Sequence, residues 1–123
     1  MIISDSGNIT QPRAQNGLVK AMVYLNESGT ILRCYNSFLT GSAATTTPCG
    51  FSVSHPELGD YALFFGFQVD DRFYSLSLGT DTSNLPAKTI KFTTFSGSNT
   101  ELGVSITKGD GTFTNSNFMV IVY

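Results

Sequence analysis

The chain has 123 residues, 13% of them charged where an average globular chain has about 25%, and seven Lys and Arg against nine Asp and Glu give a net charge of −2. The basic residues Arg13, Lys20, Arg33, Arg72, Lys88, Lys91 and Lys108 are scattered, so a nucleic-acid footprint is not expected. Twelve Gly, ten Phe and five Tyr with no Trp, among many Ser, Thr and Asn, favour strands and turns over helices. The length suits one domain with a single core.

Residues 1–17, "MIISDSGNITQPRAQNG", lack periodicity and read as an extended leader or the end of a stalk. They have no basic start and no apolar stretch of signal-peptide length, so the chain either is not exported by that route or is part of something longer. The packed domain is expected over residues 18–123. Strand-like runs follow at 18–25, 30–38, 49–55, 60–69, 72–79, 89–96, 102–108 and 117–123. The stretches between them, such as "NESG", "PELG", "TDTSNLPA" and "GDGTFTNS", are turn chemistry, and "GSAATTT" is expected to be a mobile loop. About eight short strands with no helical periodicity predict an all-β fold, an antiparallel sandwich of jelly-roll-like kind.

The last strand is apolar on both faces, with Phe118, Val120 and Val122 on one side and Met119, Ile121 and Tyr123 on the other. Such a strand is either central in its sheet or covered by another chain, and Phe118, Met119, Ile121 and Tyr123 are candidate oligomer contacts. The longest apolar run, "FMVIVY", is far shorter than the ~20 residues a membrane helix needs, so a soluble chain without membrane insertion is expected.

"GFQVDDRFYS", residues 66–75, sets two acids and an arginine between strand-like flanks. With Asp70 and Asp71 as the two loop residues of a hairpin, Val69/Arg72, Phe67/Tyr74, Phe65/Leu76 and Leu63/Leu78 share one nearly wholly apolar face. That agreement predicts the hairpin. The two adjacent carboxylates fall short of a calcium loop, and no metal or cofactor is expected. The opposite face gathers Phe64, Gly66, Phe73 and Ser75, a shallow aromatic patch suited to sugar rings or a neighbouring subunit. Phe64, Phe73 and Ser75, with Asp70, Asp71 and Arg72 at the tip, are the candidate ligand-binding residues.

Other chemistry is sparse. Cys34 and Cys49 could bridge if the fold brings their Cα atoms within about 7 Å, but their spacing is not that of a zinc site, and two half-buried free thiols are the favoured reading. His55, the only histidine, could pair with one of them as a thiol nucleophile, yet the motif context of cysteine enzymes is absent. There is no nucleophile elbow and no phosphate loop, so no catalytic residue is assigned and enzymatic activity is not expected. The sequons "NIT" and "NES" are at chance level in a chain so rich in Asn, Ser and Thr.

The stretch "KAMVYLNESGTILRCYNS", then a variable loop, "GDYALFFGFQVDDRF" and the closing "NFMVIVY" resemble the distal modules of bacteriophage tail fibres and related receptor-binding tips. The likeness touches roughly residues 18–74 and the last strand, and lies in turn glycines and alternation. Met22 and Leu25 stand where that pattern carries Trp and Phe, and the "FFGFQVDDRFYS" stretch is outside it. The resemblance implies a β-sandwich in a homotrimeric fibre of a virion tail or other extracellular structure, a non-enzymatic adhesin that recognises a bacterial cell-surface glycan or protein. Low charge and a doubly apolar strand suit a packed subunit boundary. The alternative is a structural trimerising jelly roll, similar to the C1q and tumour-necrosis-factor class, with protein partners. An enzyme with a site assembled from distant residues is the third hypothesis.

Overall fold

The computed structural model describes residues 18–79 and 87–123, together with the backbone of two short paired strands, β1 (Ile2–Ile3) and β2 (Ile9–Thr10). The expected leader otherwise lies outside the described residues, as does most of the "TDTSNLPA" connection. The eight strands read from the sequence are all present, as β3 (Ala21–Leu25), β4 (Ile31–Asn36), β5 (Ser52–Glu57), β6 (Asp60–Phe64), β7 (Tyr74–Leu78), β8 (Lys88–Phe95), β9 (Ser98–Lys108) and β10 (Phe118–Val122). They form two antiparallel four-stranded sheets, ordered β4-β3-β10-β7 and β5-β6-β9-β8. The fold is thus an all-β sandwich, in which β3-β4, β5-β6 and β8-β9 turn back within a sheet and the other links between these eight strands cross from one sheet to the other.

Alternation builds the core. Along β3, Ala21, Val23 and Leu25 point inward, and along β10 so do Phe118, Val120 and Val122. The ladder sets Val120 between Val23 and Leu76, and Phe118 between Leu25 and Leu78. In the second sheet Leu63 pairs with Leu102 and Tyr61 with Val104, and the Tyr61 and Phe118 rings meet across the interior at 4.8 Å. Each such buried side chain contributes about 1.5–3 kcal/mol, so the two inner faces hold the sheets together. β10 is central, between β3 and β7, and its inward residues Phe118, Val120 and Val122 are fully buried while Met119 and Ile121 face outward, partly buried.

The hairpin expected around Asp70 and Asp71 does not form, because β6 and β7 belong to different sheets. Leu63 pairs with Leu102 rather than Leu78, whose partner is Phe118. The strand breaks at Gly66, which takes a left-handed backbone (φ 76°) that other residues adopt at a cost. Phe65 and Val69 then donate to the carbonyls of Thr100 (3.0 Å) and Asn99 (2.8 Å), so the segment tracks the edge of β9 before crossing. The turn itself survives: Arg72 N–H donates to the Val69 carbonyl at 3.2 Å, with Asp70 and Asp71 between them.

The cysteines are the second correction. Cys34 and Cys49 form a disulfide, with Cα atoms 6.2 Å apart, and neither is a free thiol. "GSAATTT" is organised as well, opening with a 3-10 turn (Gly41–Ala44) whose Ser42 carbonyl accepts from Thr45 and Thr46 N–H. Cys49 lies beyond it with a left-handed φ of 59°, its carbonyl accepting from the buried Asn36 Nδ2 at 2.8 Å. This local geometry, which cysteine spacing does not encode, brings the sulfurs together. Closing a loop of this length restricts the unfolded chain by about 3 kcal/mol.

Candidate functional site

A groove crosses the outer face of the second sheet. The ladders align three rows across the strands: Ser52, Phe64 and Glu101; then Ser54, Ala62, Gly103 and Thr93; then Glu57, Asp60, Ser105 and Lys91. The middle row carries the smallest side chains, so it forms the floor of a depression of about 440 Å³ between the outer rows. Asp60 and Phe64 are four residues apart on β6, about 13 Å along a strand.

Gly103 sets the depth. A Cβ there would lie 2.7 Å from Thr93 Cγ2 and 2.8 Å from Phe95 Cζ, so only glycine lets Phe95 lie against the sheet. A bulge between Thr94 and Phe95 re-aims that ring, which stays 40% exposed. Phe64 and Phe95 therefore furnish two aromatic surfaces in one groove. Ser105 Oγ donates to Asp60 Oδ1 at 3.0 Å, fixing one carboxylate. The Glu101 carboxylate makes no hydrogen bond or ion pair with any described residue and stands directly across the ladder from Phe64.

The six residues predicted for ligand binding separate. Phe64 lies in this groove, whereas Phe73 and Ser75 are on the other sheet. Asp70, Asp71 and Arg72 occupy the crossing turn. There Asp70 Oδ1 accepts from Gln68 Nε2 at 2.9 Å, Arg72 Nε donates to the Gln68 carbonyl at 2.7 Å, and the guanidinium sits 5.6 Å over the Phe67 ring. Phe67 in turn stacks on Phe38 at 4.4 Å.

The outer face of the first sheet has a different character. Its rows are Tyr35, Met22, Ile121 and Ser75, then Arg33, Tyr24, Met119 and Ser77. Phe73, 69% exposed, extends the face beside Tyr123, whose N–H donates to the Phe73 carbonyl at 2.9 Å. Three of the four predicted oligomer residues, Met119, Ile121 and Tyr123, thus share a surface with Phe73 and Ser75. The fourth, Phe118, is turned inward and fully buried.

His55 is committed elsewhere. Its Nδ1 donates to the Asp60 carbonyl at 2.7 Å and its ring stacks on Tyr61 at 4.2 Å, while both sulfurs that could have partnered it are oxidised. Tyr61 donates its hydroxyl to the Glu27 carbonyl at 2.6 Å, and burial raises its pKa above 10.0. Tyr74, on the first sheet, donates to the Val69 carbonyl and is raised above 10.0 for the same first reason. Among the described residues no cluster of three or more His, Cys, Asp or Glu could hold a metal ion, and no helix is long and apolar enough to cross a membrane.

Sequence reasoning reached Phe64 and missed Phe95, Glu101, Asp60 and Gly103. These come from β6, β8 and β9, and only the pairing register brings them to one place. No family model matches the chain, nor does any curated protein or solved structure.

Proposed function

We propose that this domain is a non-enzymatic recognition module of the receptor-binding kind carried at bacteriophage tail-fibre tips, exposed on a virion tail or other extracellular structure. It holds a cell-surface saccharide in the groove of the second sheet and associates as a homotrimer through the outer face of the first. The observation that carries this reading is the groove, where two aromatic surfaces flank hydroxyls and a carboxylate with no partner among the described residues, over a floor of Ala62 and Gly103. Aromatic faces cover the apolar side of a sugar ring, and carboxylates and hydroxyls accept and donate to its rim. Single sites of this kind are shallow, and trimeric presentation would supply avidity.

A second reading, a trimerising jelly roll with protein partners, is favoured by the apolar rows of Met22, Met119 and Ile121. Native mass measurement of the full chain together with a broad glycan array separates the two. A trimer that binds saccharide, with binding abolished by Phe64→Ala, is the expected result. A trimer that binds no glycan favours the second reading, and a monomer at micromolar concentration overturns the assembly.

A further inference from the structure

The groove has a polarity that selects among sugars. Resting on the saccharide reading above, we propose that its ligand is an amino-sugar glycan, whose ring stacks on Phe64 while the exocyclic 2-amino nitrogen donates to Glu101.

Three observations meet at this end of the groove. Phe64 and Glu101 are direct cross-strand partners, so an aromatic face and a carboxylate stand side by side at about 5 Å. The Glu101 carboxylate has four lone-pair sites and no partner among the described residues, in a wall otherwise made of side chains that neither neutralise nor satisfy it. The basic side chain that the register places on this face, Lys91, lies two rows away beside Ser105 and Asp60. Four residues of strand separate the two rows, about 13 Å, which exceeds the screening length of ~8 Å at physiological salt. Lys91 therefore leaves the Glu101 end negative.

A ligand matching this end offers an apolar ring face and a nitrogen donor next to it. A 2-amino-2-deoxy pyranose does so, as an ammonium when free and as an amide N–H when acylated, and a charged donor to carboxylate is the stronger bond. A plain hexose offers only hydroxyl there, and a uronic acid or sulfated sugar brings like charge to Glu101. The groove crosses four strands along the row of Ser54, Ala62, Gly103 and Thr93, so a short oligomer can lie along it with one nitrogen at Glu101.

The test compares four β-1,4-linked tetrasaccharides by calorimetry on the full chain: glucosamine, N-acetylglucosamine, glucose and glucuronate oligomers. The expected order is glucosamine first, N-acetylglucosamine next, then glucose, with glucuronate at least tenfold weaker than glucosamine. Glu101→Gln, an exposed-face change that spares the core, should bring glucosamine and glucose to within about twofold, with most of the loss falling on glucosamine. Equal or tighter binding of glucuronate overturns the proposal, as does a glucosamine preference that survives Glu101→Gln. Either result leaves saccharide recognition itself intact. Absence of binding to all four sugars and to a broad glycan array removes the saccharide reading together with this one.

Discussion

The first sheet turns Met22, Met119 and Ile121 to solvent where the second turns Ala62, Gly103 and Glu101. Their inner faces are alike, both largely aliphatic with rings that meet across the interior, Phe118 on Tyr61 and Tyr74 on Phe92, so the core does not account for the contrast. In one sheet the middle of the outward rows is large and apolar, Met22, Met119 and Ile121 beside the Tyr24 and Tyr35 rings, the composition of a surface that gains by being covered. In the other the central row is nearly bare of side chains and the flanks carry rings and acids, the composition of a surface with room on it. One period-2 alternation serves two purposes because the outward positions are free of the demand for burial that fixes the inward ones.

The largest effect is expected where the faces share one support. Phe118→Ala removes the ring that joins Leu25, Leu78 and Tyr61, and urea unfolding should show a loss of about 3–5 kcal/mol with both faces impaired. A loss confined to one face would mean that the sheets are independent. Gly103→Ala comes next: its methyl group drives into Thr93 and Phe95, costing about 1–3 kcal/mol, and should abolish groove binding while the native mass of the assembly stays the same.

Ile121→Lys tests the other side. It should shift the assembly to monomer by light scattering, with monomer stability changed by about 0.5 kcal/mol at most and single-site groove affinity unaltered. The smallest effect is in pH. Tyr61 and Tyr74 have folded pKa values above 10.0, so the unfolded chain loses these protons first; the stability they contribute is present below pH 10 and declines above it. Tyr61→Phe and Tyr74→Phe should each remove part of that alkaline decline in pH-dependent denaturation curves.

Strand content was legible because alternating Val, Leu, Phe and Tyr report a buried face wherever they occur. Which strand lies beside which was not. The apolar sets of "DYALFF" and "YSLSL" agree in register as a hairpin, yet each feeds the common core from its own sheet, since alternation specifies the face and not the neighbour. Gly66 was the available sign, a left-handed break inside what looked like one long strand. The groove was illegible for a related reason: Phe64 is visible alone, but its partners lie about 30 to 40 residues further on and become neighbours only through the ladders. The disulfide depended on a turn between Gly41 and Cys49 that composition does not announce.

Ala21 and Val122 face each other across the ladder of β3 and β10, so the chain enters and leaves the sandwich at one corner. That gives the domain a direction of mechanical weakness. A tension applied between its two leads would peel β3 from β10 one rung at a time, each bond carrying the whole load in turn. Tension between a lead and a molecule seated in the groove would instead pass through the packed interior, shared among Phe118, Tyr61 and their neighbours. A load passed from that corner to the outer face of the second sheet therefore meets more resistance than one applied across the corner itself.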